Sequence, residues 1–366
     1  MSLLGDAYNL YMRDMLIFKK NWKTSIARSI IFPVVLILLL GNLGTSINHA
    51  PIAVVNLAGN PKAISFVNYL NSQNALSIYA MTNQQQAMQL LSDGDVTSVL
   101  VLPQNFGSAD GNTVYIYTDV SSPISSQEAD AAIEQAAAQF GAKASVQSTG
   151  VSTQTNYVYG ASSSYKTFLI AGIVVMVAAF GSIYSGGFTL ITDRQLGSLK
   201  AFMATPIHRL SILLGKMAYG ISQSMISGLL ALAIGLAYGG TIAAGAIGIL
   251  PIIWFALLSA IGFSGVATAL GTRINKIEVY SLIGMAITLP LWILSGAFTP
   301  TSTLPSFMRP FSTYNPMTYS IDAVRDVMLK GFLPMSAFIL YSAILIGFGV
   351  ATVTISLLLF RKASPV

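Results

Sequence analysis

The sequence predicts a membrane protein that is mainly α: six transmembrane helices, an N-terminal interfacial helix and an external α/β domain. Three observations carry this. Apolar residues make up 54% of the 366 and charged residues only 9%, whereas a soluble globular chain averages about 25% charged. The apolar residues gather into long runs, and the mean hydropathy is +0.67. One stretch, residues 48–165, departs from that pattern and alternates strand-like and helix-like segments. A chain so poor in charge cannot cover a soluble surface, and its length allows several spans plus one modest domain.

The elements follow in chain order. Within residues 1–28, Leu4, Tyr8, Tyr11, Met15, Phe18 and Trp22 recur at spacings of four and three, one helical stripe. Asp6, Arg13 and Lys20 take another face. This predicts an amphipathic helix in the membrane interface, aromatics at headgroup level and lysines on anionic lipid. A spanning helix needs about 20 apolar residues. The first such run is 29–47, and the polar and charged residues before it are too many for a secretory n-region, so a retained span is expected. The second run is Thr167–Thr192. Met217–Thr272 carries no charge and is too long for one span, so Ala237–Thr241, "AYGGT", divides it into the third and fourth. Val279–Phe298 and Phe332–Phe360 are the fifth and sixth. Six spans place both termini on one side.

Between the first two spans, "PIAVVNL", "LSIYAMT", "VTSVLVLP" and "TVYIYTD" read as strands rich in Val, Ile and Tyr. Pro61–Asn71 and Gln84–Ser92 read as helices, Asn60-Pro61 being a cap followed by proline at the first helical position. The alternation predicts a small α/β domain over 48–165. Ser125–Phe140 reads as a longer helix, and Ser145–Ser164, rich in Ser, Thr, Gln and Gly, as a linker back to the membrane.

The net charge of +6 hides an asymmetry. Residues 48–165 hold two lysines against seven acids, a net of −5, which leaves +11 on the remainder. Arg13, Lys19, Lys20, Lys23 and Arg28 precede the first span. Arg194, Lys200, Arg209 and Lys216 lie between the second and third, Arg273 and Lys276 between the fourth and fifth, and Arg361 and Lys362 after the sixth. These 13 of 19 basic residues all fall on one side, which is therefore expected to be cytoplasmic together with both termini. Arg309, Arg325 and Lys330 run against the trend. Basic residues beside apolar runs indicate lipid, not nucleic acid, as the partner.

Much chemistry is excluded. Zero cysteines rule out a disulfide scaffold, a thiolate metal site and a cysteine nucleophile. Two histidines, His49 and His208, are too few and too far apart for a histidine metal site. No predicted span carries Asp, Glu, Lys or Arg in its interior, so an ion-coupled carrier lacks its usual relay. Gly215-Lys216 is not a phosphate loop, because Leu210 stands where the first glycine belongs and Met217 where the Ser/Thr belongs. No catalytic, cofactor-binding or metal residues are assigned.

Three features together resemble the type-2 ABC transporter permeases, the drug- and lipid-exporting branch with a large external domain between the first two spans. They are the layout, the segment "DRQLGSLKAFMATPIHRLSILLGK" after the second span, and "LSGAFTPTSTLPSFMRPFSTYNPMTYSIDAVRDVML" between the fifth and sixth. From the residues alone, Leu196–Ala204 forms a short helix ended by Thr205-Pro206, and Pro300, Pro305, Pro310 and Pro316 prevent a continuous helix after Ser295-Gly296. Irregular apolar backbone at that depth is buried in protein or lines a cavity. The resemblance implies that 193–216 is a cytoplasmic coupling segment docking on an ATPase through Asp193, Arg194, Leu199, Lys200, Phe202, Thr205, Pro206, Arg209 and Lys216. It implies that 296–331 is an external re-entrant gate built on Gly296, Pro300, Pro305, Asn315 and Pro316, with Asp322 and Arg325 matching a polar pair. It further implies ATP and Mg in a separate ATPase, present in two copies, and a second permease, as a homodimer or a heterodimer with a similar chain. The uncharged spans fit a hydrophobic or amphipathic cargo, drug-like or lipid. A secondary carrier and a membrane-anchored binding or assembly protein are the alternatives.

Overall fold

Strand-forming segments that alternate with short helices bury best as a sheet covered on both faces, and residues 50–157 fold that way. The computed structural model describes residues 3–24, 31, 34–38, 50–72, 76–93, 95–108, 112–118, 123–143, 151–157, 165–298, 301 and 304–362. The chain divides into two units, Leu43–Tyr165 and the combination of Met1–Asn42 with Lys166–Val366.

The smaller unit runs β1 (Ala50–Asn56), α2 (Pro61–Asn71), β2 (Leu76–Met81), α3 (Gln84–Asp93), β3 (Ser98–Leu102), β4 (Thr113–Thr118), α4 (Pro123–Lys143) and β5 (Ser152–Tyr157); α1 belongs to the other unit. The sheet order is β2-β1-β3-β4-β5. β1 is parallel to both β2 and β3, β4 is antiparallel to β3, and β5 is parallel to β4. Alternate side chains of β1 enter opposite cores. Ile52 and Val54 meet Phe66 and Leu70 of α2 and Ile133 of α4, while Ala53 and Val55 meet Ala87 and Leu91 of α3. β3, "SVLVL", is buried along its whole length, the expected pattern for a strand covered on both faces. Asn60 caps α2, its Oδ1 accepting from the Ala63 N–H at 2.8 Å.

The reading of 145–164 as a linker is corrected here, because β5 lies inside it and pairs along β4 from Thr113↔Ser152 to Thr118↔Tyr157. β5 sits at the sheet edge, and its sequence "STQTNY" has no apolar alternation to betray it. Polar residues on both faces suit an edge strand.

The larger unit is helical. α1 (Leu3–Lys20) is followed, beyond the α/β unit, by α5 (Tyr165–Ser182), a π-helical turn at Ile183–Gly187 and α6 (Phe188–Gln195). Then come α7 (Ser198–Ala204), α8 (Arg209–Ala237), α9 (Ile249–Arg273), α10 (Ile277–Leu294), α11 (Arg309–Thr313), α12 (Pro316–Arg325), a second π turn at Asp326–Lys330, and α13 (Met335–Lys362). Among the described residues five helices are long and apolar enough to cross a membrane: Lys166–Gln195, Arg209–Ala237, Gly245–Arg273, Ile277–Leu294 and Met335–Arg361. The predicted first span, 29–47, falls outside the described residues apart from 31 and 34–38, which are helical. α9 and α13 pack along each other and are bridged by hydroxyls, Thr268 to Ser356 at 2.8 Å and Thr352 to the Gly262 carbonyl at 2.9 Å.

α1 packs on α8 through Asp6, Ala7, Leu10 and Asp14, its buried residues. On the stripe read from the sequence, Leu4, Tyr8 and Trp22 are exposed. The contact face is the other side of the helix, and it carries two acids.

Candidate functional site

Two buried aspartates on adjacent helices demand cations, and the structure brings them. The Asp193 carboxylate, near the end of α6, receives both amino nitrogens of Arg13 from α1, at 2.6 and 3.2 Å. Lys216, in the third turn of α8, donates to Asp14 of α1 at 2.7 Å and also pairs with Asp193. Arg13 and Asp14 lie 3.5 Å apart. Two cations thus meet two carboxylates, and the side chains of Lys216, Asp14 and Asp193 are 1%, 4% and 4% exposed. This clamp joins α1, α6 and α8 at one point. The Arg13 guanidinium lies over the Phe202 ring of α7, 4.8 Å from its centre, so α7 rests on the clamp.

The turn into α7 needs a left-handed residue, and Gly197 supplies it at φ 77°; the glycine spares the Cβ penalty. α7 then turns Leu199 inward, into an apolar cluster with Leu10, Leu190, Ile212, Leu213, Met217 and Phe360, and Phe202 packs partly against it. The opposite side is open: Leu196 is 74% exposed, and Lys200, Thr205, Pro206 and Arg209 are exposed. The Thr205 hydroxyl donates to the Phe202 carbonyl at 2.6 Å and closes the end of α7.

The residues assigned to the coupling segment therefore separate into two groups. Asp193 and Lys216 face inward and hold the clamp. Arg194 is also engaged within the chain: its Nη1 donates to the Ile274 carbonyl at 2.8 Å and to Asn275 Oδ1 at 2.9 Å, and its Nη2 to the Thr272 carbonyl at 3.3 Å. A cation on the last carbonyls of α9 is a favourable helix-end contact. Only Lys200, Thr205, Pro206 and Arg209, with Leu196 beside them, present an outward surface. Asp14 escaped the sequence reading. The signal for it was Lys216 itself, the last charge before 56 uncharged residues, which needs a buried partner.

Among the described residues of 296–331 the chain forms two short α-helices between α10 and α13. Gly296 has φ 82°, and its carbonyl accepts from Arg325 Nη2 at 2.9 Å. Asn315 does two jobs. Its Oδ1 accepts from the Met317 N–H at 3.0 Å, capping α12, and its Nδ2 donates to the Leu291 carbonyl at 2.5 Å, tying that cap to α10. Pro316 sits in the first turn of α12, Pro305 is exposed, and Pro300 lies outside the described residues. Arg325 is buried, lies 3.6 Å from the centre of the Phe168 ring and pairs with Asp322 at 3.5 Å.

The family follows from comparison. The chain belongs to the ABC-2 family transporter proteins, whose model matches residues 23–358. It is a membrane protein of that transporter family. It is similar to the daunorubicin resistance ABC transporter permease protein DrrB1 of Streptomyces coeruleorubidus, 24% identical over 164 residues, 45% of this chain and 58% of that one. Nodulation protein J of Rhizobium leguminosarum bv. trifolii is 28% identical over 170 residues, 45% of this chain and 63% of that protein. The inner membrane transport permease YhhJ of Escherichia coli (strain K12) is 25% identical over 181 residues, 48% and 46% of the two chains. The chain spans about half the length of the curated relatives it matches.

Proposed function

We propose that this chain is the permease subunit of an ATP-driven exporter in the cell membrane and that α7 is its contact with a separate ATPase. The reading has six spans, α1 in the inner interface, both termini cytoplasmic and the α/β unit outside. Two ATPase subunits, which bind the ATP and Mg, serve two permease copies, in a homodimer or a heterodimer with a similar permease. The cargo is hydrophobic or amphipathic, drug-like or lipid; uncharged spans and the daunorubicin-resistance relative support that class. The segment 296–331 caps the outer end of the pathway.

One observation carries the mechanical part. The turn before α7, its outward face and the turn after it, from Leu196 through Lys200 to Thr205, Pro206 and Arg209, are exposed, while the inward face is fixed by Leu199 and the clamp beneath. A short helix held from behind passes a push to α1, α6 and α8 together. A charge buried in an apolar docking groove costs several kcal/mol, so Leu196→Asp should lower copurification of the ATPase about 100-fold and leave membrane insertion intact. Leu102→Asp, in the core of the α/β unit, should disrupt that unit and leave the ATPase bound. Undiminished copurification with Leu196→Asp would remove α7 from the contact.

A further inference from the structure

We infer that Tyr280 is a positioning residue that locks α10 into the π turn of the α5–α6 helix, so that α6 and α10 move as one body; the mechanical consequence rests on the permease reading above. A π turn inserts one residue into a helix and leaves the backbone there without its regular partner. Here the turn is Ile183–Gly187, and the Ile183 carbonyl accepts from the Tyr280 hydroxyl at 2.6 Å. A phenol has one proton to give, and the Ala267 carbonyl of α9, at 3.4 Å, is the weaker contact. Tyr280 is fully buried. Space for its hydroxyl exists only because residue 187 is glycine. A Cβ at Gly187 would stand 2.0 Å from that oxygen and 2.5 Å from the Ala267 carbonyl oxygen.

α10 depends on this joint. Its buried residues are Tyr280, Gly284, Thr288 and Trp292, a single narrow stripe. The Thr288 hydroxyl bonds within its own helix, to Gly284, and Trp292 Nε1 has no partner among the described residues. Among the described residues Tyr280 is the one side chain of α10 that donates to another membrane helix. A second tie lies nearby, where Arg194 and Gln195 of α6 hold the carbonyls and side chain of the turn at 272–275 that leads into α10. The two ties are 11 residues apart on the same helix, roughly 16 Å at about 1.5 Å per residue. One tie is a pivot, whereas two prevent rotation. A displacement entering at α7 therefore reaches α10 without loss only while Tyr280 holds the π turn.

The chain has no cysteine, so two introduced cysteines report one distance. Spin labels at Leu196 and Met285, both exposed, should give a single narrow distance distribution in the parental chain. Tyr280→Phe keeps the ring and removes the bond, and should broaden it at least about twofold, the net worth of one hydrogen bond being enough to populate a second arrangement. Gly187→Ala keeps the hydroxyl but displaces it, and should broaden the distribution in the same way. In the complex with its ATPase, Tyr280→Phe should copurify at the parental level and deliver about fivefold less transport per ATP hydrolysed. Distributions for both variants superimposable on the parental one would overturn the joint. Failure of any ATPase to copurify with the parental chain would sink the permease reading instead, and the distance measurement would still decide the joint.

Discussion

The helical unit buries the carboxylates of Asp14 and Asp193 and the α/β unit half-buries that of Asp130, and they hold them by opposite means. In the helical unit, Asp14 and Asp193 are matched one for one by Arg13 and Lys216 at 2.6 to 3.5 Å. In the α/β unit, Asp130 of α4 has no cation among the described residues. Its oxygens accept from the Thr118 hydroxyl at 2.8 and 2.9 Å and from the Ser98 hydroxyl at 3.0 Å. Burial pushes the Asp130 carboxyl up to about 6, against the pull of those two hydroxyls and with Glu134 adding to the rise. A paired charge ties helices together. A carboxylate held by hydroxyls alone gives up its charge easily. The first arrangement suits a mechanical clamp, and the second makes the stability of its unit depend on pH.

The largest effect should come from breaking the match. Lys216→Ala leaves two buried carboxylates facing Arg13 alone, and removing one partner of a buried pair costs about 3–5 kcal/mol. Thermal unfolding of the detergent-solubilised chain should register that loss. Lys216→Met combined with Asp14→Leu restores the balance, with Arg13 and Asp193 still paired, and should recover more than half of it. If the double variant is no more stable than the single one, charge matching is not what the cluster supplies.

How legible was this? The four apolar strands and the helices between them were visible because burial on both faces of a sheet leaves dense Val and Ile runs, as in 98–102. The fifth strand was hidden, since an edge strand such as Ser152–Tyr157 needs no apolar face. Five spans could be read because lipid imposes length and hydropathy together. The clamp was harder. Lys216 and Asp193 stood out as charges at span ends, which is where outward contacts are also expected, and nothing local distinguishes a charge turned toward a partner from one turned toward α1. Their partners lie about 180 and 202 residues away in sequence, a separation at which spacing carries no information. On α1 the stripe residues Leu4, Tyr8 and Trp22 are exposed while the face with Asp14 packs on α8, so a pattern of apolar residues gave no sign of the acid that packs.

Asp130 gives an intermediate effect with a sign that can be fixed in advance. Its folded-state value, about 6, lies above the ordinary 3.8, so the folded unit holds the proton more tightly than the unfolded chain does. Its contribution to stability is therefore greatest below pH ~4, falls as pH rises to about 6, and stays lower above that. A rise from 3.8 to about 6 corresponds to at most about 3 kcal/mol, and partial solvent screening of the carboxylate reduces this to about 1–2 kcal/mol. Asp130→Asn should flatten the dependence between pH 4 and 6 and raise stability at neutral pH by that amount. Pulse proteolysis of the α/β unit across this range is the measurement. A parental unit equally resistant at both ends would contradict the assignment.

The smallest effect tests whether hydroxyls do hold that carboxylate. Thr118 is buried, at 2% exposure, and its Oγ1 lies within reach of both oxygens of Asp130, so its one proton serves either oxygen of the carboxylate. Thr118→Val keeps the shape and removes the donor. Hydrogen bonds to the ionised form favour ionisation, so losing one must move the Asp130 titration further up, above about 6. The fall in stability with rising pH should then extend to higher pH, and the neutral-pH loss should deepen by about 1 kcal/mol. Below pH ~4, where the carboxyl is protonated in both states, Thr118→Val and the parental chain should differ much less. The contrast matters because a simple packing defect lowers stability equally at every pH. A Thr118→Val unit that is weaker by a constant amount from pH 4 to 7 would show that the hydroxyl packs but does not hold the charge.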